Sequence, residues 1–500
     1  MASLCCLVAL TATAPIIITT PARADQALLI GTPSDSTSLG PLGRMIPVDA
    51  PAIRRPTANR DTIGTTRIAG AGLSDHPFLI DPDTKSPMNY GAICDGTARP
   101  LSTRYTTLAA AQSVYGATLV TALNQDIDTV AWQSALATGR LVTFPSGRIC
   151  TLRARLTLAV TGGIIGDGTG RFVANATDFS ATVLASNASD TLIRSDQGRN
   201  IVLRGFGVAF TSAPDSFTRA VAVTRASGIL VERLDLSGFN AGNLIEIDSS
   251  TDARVQDNVI RDGLLDRSGS TSQLTGIAID DNLVSGVASR RVQITGNTIR
   301  NLLVTAAFRA SYGYQSDGIT VLPSAIDVAV TDNTVIGVGE GIDFQASGGK
   351  IAGNTVRVSY QFGIKLIHGA SNNTVSSNAV TCPGIGGITV WGGSAKASAD
   401  NMVVGNSVTE VNCLGEYDRN TTWAFGAADN GLAHPSNNNT FVRNVASGGE
   451  KATAAYYWAG VGTGNTANSA QISGDYRRPS LAPPFNGTPM SATLKAIKAH

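Results

Sequence analysis

The sequence lacks the features that mark several classes of protein. Only 15% of its residues are charged, and 38 basic residues nearly balance 37 acidic ones, so the composition does not predict a nucleic-acid partner. Beyond the first 24 residues, no apolar run reaches the ~18 residues of a membrane-spanning helix. The four histidines are scattered, and no Cys/His spacing predicts a metal site.

Aromatic residues are also scarce, at 6% of the chain, whereas glycine occurs 53 times. Valine, isoleucine, threonine, asparagine and glycine dominate, which suits short stacked strands joined by tight corners. The sequence contains neither a phosphate-binding loop with its lysine nor a Gly-any-Ser-any-Gly nucleophile elbow. Nucleotide hydrolysis and serine-based acyl transfer are therefore not predicted.

Two short phrases recur between about residue 200 and residue 450. The first, Val/Ile-any-any-Asn-Thr/Val, has its asparagine at Asn258, Asn297, Asn333, Asn354, Asn378, Asn406 and Asn444. The second, Gly-Ile-any-apolar, begins at Gly276, Gly318, Gly341, Gly363 and Gly387. One coil per ~20–25 residues predicts a parallel β-helix, in which equivalent positions of successive coils stack in columns. We expect the asparagines to be structural, forming a ladder of stacked amides inside the turns.

The rest of the chain divides around these coils. Residues 1–24 resemble a secretory signal peptide that ends in Ala22-Arg23-Ala24, which predicts a secreted or periplasmic protein. Residues 25–87 are predicted to be an extended arm, 88–447 the β-helix with its cap, and 448–500 a proline-interrupted C-terminal arm and tail.

Four cysteines remain after the predicted signal peptide. An exported protein can form two disulfides from them, with Cys382 and Cys413 joining adjacent coils and Cys94 and Cys150 tying the cap. Four buried free thiols are the alternative.

The N-terminal part of the predicted β-helix resembles a known superfamily. A Gly-Ala-any-any-Asp-Gly segment at 91–96 precedes a predicted helix at 128–136, capped by Asp128, and a strand that ends in Pro-any-Gly at 145–147. This order resembles the opening of the pectin-lyase-like superfamily of single-stranded right-handed β-helices. The resemblance implies an all-β, right-handed parallel β-helix with an N-terminal capping helix, which would cover the open end of the solenoid.

Aligning the coils on the isoleucine after each glycine predicts the outer face. The first outward position holds Ala278, Thr320, Asp343, Lys365 and Thr389, and the next holds Asp280, Leu322, Gln345, Ile367 and Trp391. We expect the glycine column to keep this face low and to leave room for a chain-like ligand. The predicted substrate-binding residues are Lys365, His368, Trp391, Gln345, Tyr314 and Asp280.

Asp317 and Glu340 each precede a repeat glycine, so they occupy equivalent positions on adjacent coils. Two carboxylates this close repel, and one should keep its proton near neutral pH. A neutral acid beside an ionised carboxylate is the pair that hydrolyses a glycosidic bond. The alternative is that both acids cap backbone amides at the coil corners.

Around the first acid, Gln315-Ser316-Asp317-Gly318-Ile319 resembles the Asn-Thr-Asp-Gly-Ile motif of polygalacturonase-type glycoside hydrolases. That resemblance implies catalytic roles for Asp317 and Glu340. Asp343, on the same coil as Glu340, is predicted to be catalytic as well. The chain departs from the family at Gln361-Phe362-Gly363, where a Gly-His-Gly would stand, and it lacks the final Arg-any-Lys. Pectin is therefore not implied as the substrate.

These observations predict an exported, cofactor-free glycoside hydrolase that degrades a polysaccharide, as a monomer or homotrimer. Two alternatives remain. In a polysaccharide lyase, Lys365 would be the base and Asp317, Glu340 and Asp343 would hold calcium. In a non-catalytic surface protein, the same groove would only bind glycans. Three of the single residues also have a purely structural interpretation. In it, Lys365 would form a surface ion pair, His368 would lie in a surface turn, and Trp391 would make only a packing contact.

Overall fold

The computed structural model describes residues 84–175, 190–212, 218–266, 273–279, 287–428, 433–459, 462–473, 476 and 478–480. The predicted signal peptide, nearly all of the predicted N-terminal arm, and Asp280 lie outside these residues. Among the described residues, no helix has both the length and the apolar character needed to cross a bilayer.

The described strands form three parallel sheets of 12 strands each, and successive strands of the chain go to the first, second and third sheet in turn. The first sheet contains β1 Leu141–Thr143, β4 Gly162–Ile165, β7 Arg199–Arg204, β10 Ser227–Glu232, β13 Thr251–Gln256, β16 Arg290–Thr295, β19 Ile326–Thr331, β22 Lys350–Ala352, β25 Thr374–Ser376, β28 Met402–Val404, β31 Thr440–Val442 and β34 Thr466–Asn468.

The second sheet contains β2 Ile149–Leu152, β5 Arg171–Asn175, β8 Gly207–Ser212, β11 Asp235–Ser237, β14 Val259–Leu265, β17 Thr298–Val304, β20 Thr334–Val338, β23 Thr355–Ser359, β26 Ala379–Pro383, β29 Ser407–Thr409, β32 Val445–Ser447 and β35 Gln471–Ile472. The third contains β3 Leu156–Thr157, β6 Asp190–Asp196, β9 Thr218–Thr224, β12 Gly242–Asp248, β15 Leu274–Ile279, β18 Ser316–Val321, β21 Glu340–Phe344, β24 Phe362–Leu366, β27 Gly386–Trp391, β30 Trp423–Ala428, β33 Ala454–Ala459 and β36 Arg478–Ser480. Each circuit through the three sheets is one coil.

In the described residues, helices occur before the first coil and within two later connections. They are the α-helices α1 Leu108–Tyr115, α2 Ile127–Leu136 and α3 Ala306–Tyr312, and the 3-10 helices Pro87–Tyr90, Leu101–Thr103 and Arg419–Thr421.

The capping helix α2 is present where it was predicted, but its cap differs. Asp126, not Asp128, is the N-cap and accepts a hydrogen bond from the backbone N–H of Thr129. The buried Asp128 carboxylate instead accepts backbone N–H groups of Ile93, at 2.7 Å, and Cys94, at 3.1 Å. Asp128 therefore ties the helix to the segment before it.

The repeat glycines face the interior of the coils, which contradicts their expected place on a low outer face. A Cβ added to Gly318 would lie 2.5 Å from Val335 Cγ1, and one added to Gly341 would lie 2.5 Å from Val356 Cγ1. Both valines belong to the second sheet. Glycine therefore lets the second and third sheets approach closely across the core.

The repeated asparagines form the predicted ladder. From Asn258 to Asn444, each side-chain amide donates to the side-chain oxygen of the next asparagine at 2.9–3.0 Å. A second ladder, which the sequence analysis missed, joins Asn373, Asn401, Asn439 and Asn465 at 2.8–3.0 Å. Because these asparagines are largely buried, each hydrogen bond satisfies a group that water cannot reach.

Breaking the first ladder should destabilise the protein. Asn378 donates to Asn406 Oδ1 and Ile351 O, and its oxygen accepts the backbone N–H of Asn354. We expect Asn378→Ala to cost about 2–4 kcal/mol, because several buried partners lose their hydrogen bonds together. Urea unfolding measures the cost, with Asn468→Ala on an exposed strand end as the control. Equal midpoints for the two variants would contradict the structural role.

The coils continue past residue 447, where the sequence analysis ended them. Strands β33 to β36 extend the three sheets, because buried residues such as Tyr456 and Trp458 still supply an apolar face. Two disulfides are present, Cys94–Cys150 at the cap and Cys382–Cys413 between neighbouring coils. They are the two pairs considered from the sequence.

Candidate active site

The predicted acidic residues meet on the outer face of the third sheet. Asp317 in β18 is the register partner of Glu340 in β21. Three residues further along the same strands, Thr320 pairs with Asp343, and Asp343 pairs with Lys365 of β24. The predicted register is therefore confirmed, and the three carboxylates and the lysine form one group, named here the acid cluster.

Asp317 is the most strongly perturbed member of the acid cluster. It is only 5% exposed, and its Oδ2 accepts hydrogen bonds from the Gln273 amide and, at 3.1 Å, from Thr320 Oγ1. Burial raises the pKa of Asp317 well above its usual range, and the charges of Glu340 and Asp343 raise it further. Asp317 is therefore the carboxyl that keeps its proton.

Lys365 forms ion pairs with the other two acidic residues of the cluster. Its Nζ forms an ion pair with Glu340 Oε2 and lies 3.5 Å from Asp343 Oδ2. Burial raises the pKa of Glu340, but less than that of Asp317, because the Lys365 ammonium opposes the effect. Burial alone would lower the pKa of Lys365, yet Asp343 and Glu340 outweigh burial and raise it. The lysine therefore stays charged, and its ammonium favours the ionised form of Glu340.

Asp343 has one buried oxygen without a hydrogen-bond partner among the described residues. The Gln345 amide donates to Asp343 Oδ2 at 3.1 Å, as expected of a residue on the predicted face. Among the described residues, none donates a hydrogen bond to Asp343 Oδ1, although this atom is buried. A buried acceptor without a partner is unfavourable, so Oδ1 is suited to accept a donor group from a ligand.

An aromatic cluster continues the outer face beyond the acid cluster. It consists of Phe362, Trp391, Trp423 and Tyr457. Trp391 is partly buried and meets the ring of Phe362 edge-on at 5.2 Å, and Trp423 stacks on Tyr457 at 4.4 Å. Trp391 thus packs against the ring of Phe362 on the neighbouring strand.

Tyr314 does not line an open groove wall as predicted. It is buried and stacks on Tyr360, with ring centres 4.7 Å apart, and its hydroxyl donates to Glu416 Oε2 at 2.7 Å. Arg309 of α3 donates to the same hydroxyl and lies 3.6 Å from the Glu416 carboxylate. These contacts, named here the tyrosine brace, join the loop that contains α3 to the loop before β30.

His368 lies in the turn after β24, with a left-handed backbone. Burial lowers the pKa of His368, so the imidazole is neutral near pH 7. Its place in a turn matches the alternative considered from the sequence. Asp280 lies outside the described residues.

The acid cluster is more closed than the predicted cleft. Glu340 and Asp343 are each 8% exposed, and the Lys365 side chain is 13% exposed. The expected low surface is absent here because the glycines face inward and Gln273 covers Asp317. A ligand therefore has a narrow approach to these groups.

The alternative of a calcium-dependent lyase fits this geometry poorly. Lys365 Nζ already lies between two of the three carboxylates that would bind the ion, and a charged ammonium cannot serve as the base. Within the described ranges, no group of three His, Cys, Asp or Glu side chains is arranged to hold a metal ion.

Sequence reasoning missed several residues of this region. Gln273 bonds to Asp317 but belongs to no motif, and Thr320 was placed on the outer face without its bond to Asp317 being predicted. Trp423 and Tyr457 were missed because their coils lack the glycine-isoleucine phrase: Gly386 pairs with Trp423, so Ala424 takes the place of the glycine. An alignment of the coils that relied on the length of the strands, and not on the glycine-isoleucine phrase, would have found that coil.

Residues 219–408 match the family model described as "Right handed beta helix region". Together with the three-sheet topology, the match establishes a right-handed parallel β-helix, the fold predicted from the sequence. The narrower resemblance to polygalacturonases stays a prediction. No curated protein sequence matches the chain.

Several solved structures share the fold. The surface adhesin PfbA of Streptococcus pneumoniae is 11% identical, with a TM-score of 0.52 over 81% of this chain and 96% of that one. The A-module of the Azotobacter vinelandii mannuronan C-5 epimerase AlgE4 is 13% identical, with a TM-score of 0.45 over 80% and 98%. The tailspike gp61 of Pseudomonas phage phi297 is 14% identical, with a TM-score of 0.44 over 78% and 80%. At these identities the similarity concerns the fold alone.

Proposed function

We propose that this β-helix is an exported glycoside hydrolase that cleaves a polysaccharide at the acid cluster. The observation that carries the proposal is the register pairing of two buried carboxyl groups on adjacent coils, of which Glu340 forms an ion pair with Lys365. Burial raises the pKa of Asp317 well above its usual range and favours its protonated form, whereas the Lys365 ammonium favours the charged form of Glu340. Glycosidic hydrolysis needs this combination.

In the proposed reaction, Asp317 gives its proton to the glycosidic oxygen as the bond to the anomeric carbon breaks. Glu340 either activates the water that adds to that carbon or attacks the carbon itself. Gln273 and Thr320 orient the Asp317 carboxyl through their hydrogen bonds to Oδ2. Lys365 keeps Glu340 anionic in a setting where burial favours the neutral form.

Export is supported by the two disulfides as well as by the predicted signal peptide. Disulfides persist in secreted and periplasmic proteins and are rare in a reducing cytosol. We therefore place the proposed activity outside the cytoplasm.

The proposal is tested by incubating the full chain with a panel of polysaccharides and resolving the products by mass. Hydrolysis adds one water per cleaved bond and creates a reducing end. Products that lack this water and absorb in the near ultraviolet would instead identify elimination. Tight binding without any product would identify a glycan-binding protein and contradict the proposed hydrolase.

A further inference from the structure

The acid cluster carries an excess of negative charge. Asp317, Glu340 and Asp343 supply three carboxyl groups, and Lys365 supplies one ammonium. Even with a proton on Asp317, the two remaining carboxylates outnumber the single positive charge. An anionic sugar would therefore be repelled, because the site carries a net negative charge as well.

Two cations on or near this face are already engaged. Lys365 pairs with Glu340 and Asp343, and Arg309 pairs with Glu416 and donates to the Tyr314 hydroxyl. A uronate carboxylate would have to break one of these pairs to gain either cation as a partner. Breaking a buried pair leaves a charge uncompensated, which is strongly unfavourable.

Asp343 Oδ1 supplies the second, independent observation. It is a buried carboxylate oxygen to which none of the described residues donates a hydrogen bond. Asp343 lies three residues along the strand from Glu340, within the same cluster. A sugar hydroxyl or amino group can donate to this oxygen, whereas a carboxylate would be repelled by it.

We propose that the acid cluster accepts neutral or amino-sugar glycans and rejects uronate polymers, with Asp343 Oδ1 receiving a hydroxyl or amino group of the bound sugar. This inference rests on the proposed function, because it concerns the substrate of the same site. It makes Asp343 the residue that determines specificity against acidic sugars. Repulsion between like charges is the physical basis of the discrimination.

The test compares polymers that differ only in their carboxylates. Polygalacturonate, alginate and hyaluronan are each paired with their carboxyl-reduced forms, and binding to the Asp317→Asn protein is measured by affinity electrophoresis at low salt. We expect at least one reduced form to bind about tenfold or more tighter than its native partner, which corresponds to ~1.4 kcal/mol. Adding Asp343→Asn to Asp317→Asn should reduce the ratio between the affinities for the reduced and the native polymer.

A matched control is Asp252→Asn, which removes the same charge from an exposed ion pair with Arg291 on the first sheet. It should leave the preference unchanged. Tighter or equal binding of the native uronate polymers, or binding to neither member of any pair, overturns the inference. A clear preference in binding without any hydrolysis by the wild-type protein would refute the proposed catalysis and leave the specificity in place.

Discussion

Asp317→Asn should lower the hydrolysis rate by about 10²–10⁴-fold, the usual contribution of a positioned general acid. Asparagine has nearly the same shape as aspartic acid and can keep the contacts with Gln273 and Thr320, but it cannot release a proton. The protein should therefore fold and bind glycan normally. The measurement is the release of reducing ends under saturating polymer, together with the thermal midpoint of the variant.

The control for this variant is Asp252→Asn, which should retain full activity. The pH dependence gives a second readout. Because the pKa of Asp317 is raised, the wild-type enzyme should lose activity only as pH rises well past the ordinary carboxyl pKa of 3.8, when Asp317 ionises. Full activity of Asp317→Asn would show that the acid pair is only structural.

Lys365→Met should destabilise the fold by about 3–5 kcal/mol at neutral pH. Methionine fills similar space, but Glu340 and Asp343 then face each other as buried carboxylates without a cation. Removing one partner from a buried ion pair typically has this cost. Denaturant unfolding at neutral pH measures the loss, and Lys350→Met, at an exposed position on the first sheet, should change stability by less than ~0.5 kcal/mol.

The defect of Lys365→Met should shrink in acid. Without the ammonium, burial of Glu340 is no longer opposed, and the pKa of Glu340 lies further above its value in the unfolded protein. Such groups stabilise the fold most below the unfolded pKa, and this benefit is lost as pH rises through the folded pKa. The variant should therefore approach the wild-type stability as pH falls towards 4. A defect that is constant with pH would indicate lost packing rather than lost charge pairing.

The fold was predictable because each coil repeats the same short sequence pattern. The columns of asparagine and isoleucine follow from a period of about one coil, and the observed register of Asp317 with Glu340 and of Asp343 with Lys365 agrees with that alignment. The coils after residue 447 were missed because alanine and aromatic residues there replace the glycine-isoleucine phrase.

The openness of the site was not predictable from the same alignment. Alternation along a strand tells which side chains leave the core, but it does not show what covers them afterwards. Gln273 reaches Asp317 from the residue just before β15, and Tyr314 packs on Tyr360 from a loop. Such contacts depend on loop geometry, which has no period. The alignment also did not show that the repeat glycines face the core, because this depends on how closely the second sheet approaches the third.

The tyrosine brace has a consequence for how the molecule opens. Most contacts in a solenoid join only neighbouring coils, so the ends can fray one coil at a time. Tyr314 and Glu416, however, are 102 residues apart in the chain, and the third-sheet strands β18, β21, β24 and β27 lie between them in the sequence. Local unfolding that begins at the C-terminal end should therefore stop at the tyrosine brace. The coils that carry Asp317, Glu340 and Asp343 should then exchange their amide hydrogens together, as one cooperative unit.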